Sequence, residues 1–226
     1  MRGILYGVGV GPGDPKMLTL QAVEVLQMAD VIAIPDTKGE KTAMKVVGEY
    51  IKDKAVVYCP MPMTRDTDLL EKSHGISCSL IEEQLLKGSN VAFITLGDPT
   101  IYSTYMNIQR IIEDKGYITR TIPGVTSFCA SAGALNISLC DRGETLHIIP
   151  ASYGDTEELL DLKGTKVLMK SGKSLTDIKA ALKRKGLYRY SLMVECCGME
   201  NQRVYKSLDE VSDDSSYFSI IIVKDK

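Results

Sequence analysis

Short runs of β-branched and aliphatic residues alternate with stretches of helical periodicity along almost the whole chain, and few architectures accept that order. Strands are expected over residues 4–10, 31–34, 55–59, 91–96 and 117–122. Between the first two, Leu18, Ala22, Val25, Leu26 and Ala29 fall on one face of a helix over 15–29. Asp14 before Pro15 supplies its start, with an oxygen acceptor at the cap and a fixed φ in the first turn. Further helices are expected at 43–51, at 66–87 with a break near Gly75, and at 101–115. The second half continues with a helix over 126–135 and strands at 146–149 and 166–169. A helix over 174–185 capped by Ser174 and a strand at 192–195 follow. Residues 203–207 and 217–223 read as neighbouring strands with no helix between them, hence antiparallel; the Ser/Asp-rich stretch 209–216 reads as an exposed loop. The fold class is α/β, with two α/β lobes, 1–122 and 123–226, joined near Pro123-Gly124. No fixed-period repeat is present, so a solenoid is excluded.

Composition narrows the function classes. Lys plus Arg is 27 against 29 Asp plus Glu, so the chain of 226 residues has no global field for nucleic acid or an anionic membrane. An anionic ligand must meet a local basic patch. Apolar runs fall far short of the ~20 residues of a membrane span. The first residues lack the long apolar region of a signal peptide, so a cytoplasmic protein is expected. The cysteines Cys59, Cys78, Cys129, Cys140, Cys196 and Cys197 form no C-x-x-C pair and fit neither a zinc site nor a disulfide framework. With only His74 and His147 as histidines, no protein-held catalytic zinc is expected.

Three turns at the ends of expected strands could build a site. The first is Gly7-Val8-Gly9-Val10-Gly11-Pro12-Gly13-Asp14-Pro15. Its glycines let a ligand approach main chain and permit positive φ, and helix N–H groups beyond it could face an anion. The dinucleotide template G-x-G-x-x-G fails, because its third glycine falls on Pro12 or on Asp14. A tight turn with no ligand fits as well. The second is Leu96-Gly97-Asp98-Pro99-Thr100-Ile101-Tyr102-Ser103, where Asp98 is either a helix cap or a carboxylate facing a cationic or hydroxyl-bearing ligand. The third is Ile122-Pro123-Gly124-Val125-Thr126-Ser127, whose hydroxyls are either caps or ligand contacts. Open α/β sheets bind ligands at such strand ends.

In this order, G-x-G-x-G-P-G-D, L-G-D-P-T-x-Y-S and I-P-G-V-T-S resemble the tetrapyrrole methylases, S-adenosylmethionine-dependent enzymes of corrinoid and sirohaem synthesis. The resemblance spans residues 2–223. Tyr102-Ser103-Thr104 and Pro35 look most like the branch that methylates C20 of precorrin-2 or cobalt-factor II. It implies a two-lobed fold, a homodimer, and a cofactor held in a cleft between the lobes largely by main chain, which would account for the glycines. Pro12 matches a cofactor-contacting proline, Leu96, Gly97 and Asp98 the triplet around the methionine moiety, and Ile101 a following contact. Thr126 and Ser127 match the hydroxyl-small pair, Met169 the methionine beside the adenine, and Cys197 a small residue that contributes backbone. The aspartate that ends the second strand in the uroporphyrinogen-methylating branch is here Pro35, with Asp36 one residue later, so that base role is not carried over.

For such a reaction a sulfonium donor needs no acid for its leaving group. A meso carbon in an enamine-like ring is already nucleophilic, so the protein's task is alignment. A proton must still leave C20; Tyr102, Asp98, Asp36 or bound water could accept it, with Tyr102 and Asp98 as the catalytic candidates. The tetrapyrrole substrate, cobalt-bearing or not, is rich in carboxylates and calls for basic partners. Lys38, Lys41, Arg65 and Arg110 lie nearest in sequence to the implicated turns, and arginine can pair bidentately. Residues 61–66 could lie over the ring face or serve as a packing plug. Methylation at C11 or C17, a related methylase acting on RNA or protein, and a non-catalytic nucleotide-binding domain remain alternatives.

Overall fold

The computed structural model describes residues 2–36, 42–64, 66–151, 156–171, 175–212 and 215–225. The chain divides into two compact units, Met1–Thr126 and Ser127–Lys226. The expected join was at 122/123; residues 123–126 go with the first unit, where Gly124 is hydrogen-bonded to Asp98.

The first unit is a five-stranded parallel sheet: β1 (Leu5–Gly9), β2 (Val31–Asp36), β3 (Ala55–Pro60), β4 (Val91–Thr95) and β5 (Thr119–Ile122), in the order β3-β2-β4-β1-β5. Helices α1 (Leu20–Met28), α2 (Thr42–Val47), α3 (Thr67–Leu86) and α4 (Tyr105–Asp114) supply the crossovers. Period-two alternation sorts the strand residues into two cores. Tyr6, Val8, Ile32, Ile34, Ala92 and Ile94 pack with α1 and α2. Leu5, Val31, Ala33, Val91 and Phe93 pack with α3 and α4.

Three helix expectations change. Asp14 caps only a 3-10 turn, Pro15–Met17; Leu18 is extended, and α1 starts afresh with the Thr19 hydroxyl accepting from Ala22 N. Helix α3 runs unbroken through Gly75, with Asp66 as its cap. A glycine there costs about 1 kcal/mol relative to alanine, too little to break a helix anchored by Ile81 and Leu85. Helix α4 begins at Tyr105, not Ile101.

The second unit has α5 (Ser127–Leu135), β6 (Leu146–Pro150), α6 (Thr156–Leu159), β7 (Thr165–Met169), α7 (Leu175–Arg184), β8 (Ser191–Glu195), β9 (Arg203–Tyr205) and β10 (Ser219–Val223). Its sheet order is β6-β7-β10-β8-β9. Strand β7 runs parallel to β6, and β10 runs antiparallel to both β7 and β8. Strands β9 and β10, expected to be neighbours, are separated by β8: fully buried β10 takes the centre and half-exposed β9 the edge. The 209–216 stretch is not wholly exposed either, since Val211 is buried in the core beside Leu208. Ser174, the expected cap of α7, lies outside the described residues.

Candidate active site

Because the first sheet is parallel, the carboxyl ends of β4, β1 and β5 lie side by side, and the three turns that leave them meet there. Gly11 N donates to Gly97 O at 3.3 Å and Gly97 N to Gly11 O at 2.7 Å, joining the first turn to the second. Gly124 N donates to Asp98 Oδ2 at 3.0 Å, joining the third. A Cβ on Gly9 would sit 2.6 Å from Gly124 N and 2.7 Å from Gly97 O. Main chain therefore meets main chain at this junction. Gly7 has another reason: a Cβ there would lie 2.0 Å from Cε1 of the fully buried Tyr105 ring. The fold itself demands Gly7 and Gly9, as the tight-turn reading of this loop allows.

Asp98 is buried. Its Oδ1 accepts from Thr100 N at 2.8 Å and Thr100 Oγ1 at 2.5 Å, an Asx-type turn. It is not the cap of α4; Ser103 Oγ accepts from Tyr105 N at 3.2 Å and shares a hydrogen with Thr95 Oγ1 at 3.1 Å. Between them Tyr102 is held at φ +49° with its ring exposed. A left-handed tyrosine costs on the order of 1–2 kcal/mol, and such strain concentrates at functional positions. Pro12 is buried, Ile101 half-buried, and Leu96 packs partly against the first core. The Thr126 hydroxyl is buried with no partner among the described residues.

In the second unit Ser127 opens α5. Met169 ends β7 opposite Ile220, and Cys197 follows β8, whose Glu195 lies opposite Ser219; both therefore sit at one end of this sheet, flanking β10. Cys196 (φ +50°) and Gly198 (φ +77°) make the sharp turn around Cys197, and Cys196 N donates to Phe218 O at 2.8 Å. Burial pushes the Cys197 thiol up, so it stays protonated at neutral pH. Lys170, next to Met169, has φ +59°, and burial pushes its ammonium down.

The structure thus brings together Gly97, Asp98 and the turn preceding Thr126 in the first unit, and places Met169 and Cys197 at one sheet end in the second. Arg110 lies within α4, exposed, donating to Asn107 Oδ1 at 3.2 Å. Lys38, Lys41 and Arg65 lie outside the described residues. Asp36 is exposed at the end of β2 opposite Pro60. In the 61–66 segment Met61 is a core residue while Met63 is exposed. Sequence reasoning missed Thr100 and Ser103 as the residues that shape the β4 turn; the Asp-Pro-Thr order was the signal for the first. Among the described residues no three His, Cys, Asp or Glu side chains converge on a metal site, and no helix is long and apolar enough to cross a membrane.

The chain is 35% identical over 224 residues to a probable cobalt-precorrin-2 C(20)-methyltransferase of Methanocaldococcus jannaschii, covering 97% of this chain and 95% of that one. It is 30% identical to the cobalt-precorrin-2 C(20)-methyltransferase of Salmonella typhimurium, with coverage of 99% and 97%. In structure it resembles a cobalt precorrin-4 methyltransferase (TM-score 0.77, 20% identity, 98% and 94% covered). It also resembles uroporphyrin-III C-methyltransferase of Thermus thermophilus complexed with S-adenosyl homocysteine (TM-score 0.74, 21% identity, 99% and 98% covered). The family model for tetrapyrrole (corrin/porphyrin) methylases matches residues 4–211, the span that holds all three turns together with Met169 and Cys197, and the chain belongs to that family.

Proposed function

We propose that this protein transfers a methyl group from S-adenosylmethionine to C20 of precorrin-2 or cobalt-factor II in cobalamin biosynthesis, acting as a cytoplasmic homodimer. The observation that carries the reading is the 30–35% identity, over nearly the whole chain, to enzymes named for methylation at C20. The residues present fit the cofactor: the Thr126 hydroxyl is buried without a partner among the described residues and so is open to a polar ligand group. Pro12, Leu96, Gly97, Ile101, Thr126 and Ser127, with the main chain at Asp98, would hold it; Met169 and the main chain at Cys197 would serve its adenosyl part. When bound, S-adenosylmethionine supplies the methyl group on a sulfonium, whose departure needs no acid. The chain's own work is to bind and orient. In this reading Tyr102 would contact the substrate or accept the C20 proton, and Lys38, Arg65 and Arg110 would pair with ring carboxylates.

The test is incubation with labelled S-adenosylmethionine and either precorrin-2 or cobalt-factor II. Label at C20 is expected. Label at C11 or C17, or turnover only on RNA or protein, would reject the C20 reading. For Tyr102→Phe, kcat is expected to fall about a hundredfold or more, the range for loss of a general base, with S-adenosylhomocysteine affinity unchanged in calorimetry. Full activity would remove Tyr102 from the chemistry.

A further inference from the structure

The geometry points to Asp98 as a positioning residue and not the base: its carboxylate clamps the β4 turn to the β5 turn and so fixes the main chain that receives the donor. This inference rests on the reading that these turns bind S-adenosylmethionine.

Asp98 is 9% exposed, and both of its oxygens are engaged in holding main chain. Oδ1 takes two donors from Thr100, at 2.8 Å and 2.5 Å, which uses both of its lone pairs. Oδ2 takes the Gly124 N–H at 3.0 Å. Protonating Oδ2 would weaken the bond it accepts, so service as a base would loosen the junction in every turnover. The bond to Gly124 is also a side-chain link to a place where a Cβ would be 2.2 Å from Gly97 O. Two glycine main chains this close carry dipoles and no apolar contact of their own. An ionised acceptor with a fixed orientation is what can keep them in register before a ligand arrives. The Gly11–Gly97 pair extends the same clamp to the β1 turn.

Asp98→Asn isolates this role, because the amide has the same shape but only one acceptor oxygen. With that oxygen kept on Thr100, the amide NH2 faces the Gly124 N–H, donor against donor. Flipped, the amide deserts the Thr100 N–H. The expected result is an S-adenosylhomocysteine Kd raised about tenfold or more, the effect of losing one buried charged hydrogen bond. At saturating donor, kcat should stay within about threefold of the parent and its pH profile should keep its shape. A Kd within about twofold of the parent with kcat down about a hundredfold would make Asp98 the base and overturn the inference. No change in either quantity would overturn it too. Thr100→Val removes only the hydroxyl on Oδ1 and should shift Kd the same way by less. Should Asp98→Asn not fold, an unchanged Kd in Thr100→Val overturns the clamp. A parent protein that fails to bind S-adenosylhomocysteine would reject the underlying reading before any variant is compared.

Discussion

Gly124→Ala is expected to lose about 3 kcal/mol of stability, and with it measurable binding of S-adenosylhomocysteine. The new Cβ would stand 2.2 Å from Gly97 O and 2.8 Å from the Gly9 carbonyl carbon. Both obstacles are main chain, so no rotamer change relieves them. Neither can retreat cheaply: Gly97 is paired with Gly11, and Gly9 ends a strand bonded to β4 on one side and β5 on the other. The turns must part, and the Asp98–Gly124 bond goes with them. Gly75→Ala is the control. Nothing lies within 4 Å of the added Cβ in the interior of α3, so this variant should gain about 0.4–1 kcal/mol. Urea melts and calorimetry on both proteins make the comparison. A Gly124→Ala protein with parental stability and affinity would mean that the junction is not needed.

Asp225→Ala should cost about 1–2 kcal/mol, read out in the second unit, less than a fully buried pair because the Asp225 side chain is 41% exposed and screened by water. The Lys166 side chain is only 2% exposed, and its ammonium is met by Asp225 Oδ1 at 2.5 Å. The other oxygen accepts from Gly164 N at 2.5 Å. Removing the carboxylate strands a cation inside the sheet, whereas adding Lys166→Met should recover much of the loss, because the buried charge is then gone as well. The hydrogen bond from Lys166, then that from Gly164 N, holds the Asp225 carboxyl below its ordinary value. The sign follows from linkage. The contribution is complete above the carboxyl's unfolded pKa and is lost as pH falls through its lower folded pKa, so parent and variant converge in acid. Equal melting of the two proteins at neutral pH would refute the role assigned to the pair.

Much of this was legible in the residues, and the failures have physical causes. The buried runs of β1, β2 and β4 identified the first sheet, since strands covered on both faces must be apolar throughout. Turn chemistry was harder. Asp14-Pro15 signals a helix start, yet the chain extends again at Leu18 so that this side chain can reach the first core. The apolar spacing from Ile101 suggested an early start for α4, but the Asp98–Thr100 bonds and the left-handed Tyr102 hold that stretch as a turn. The glycines were legible as residues of a tight turn or a ligand loop, but the contacts that demand them were not. Tyr105, which requires Gly7, lies almost a hundred residues away. Only coordinates reveal that Gly9, Gly97 and Gly124 crowd one another.

The central place of β10 in the second sheet bears on how a ribosome would deliver this fold. Strands β6 and β7 pair with each other, as do β8 and β9, but only β10 joins the two ribbons. Until residues 219–223 have emerged, both ribbons keep an open edge, and each waits as an unsealed template for stray β-pairing. The first sheet needs nothing beyond β5 and can close much earlier in synthesis. Exposure to misassembly is therefore uneven along the nascent chain and falls on its second half.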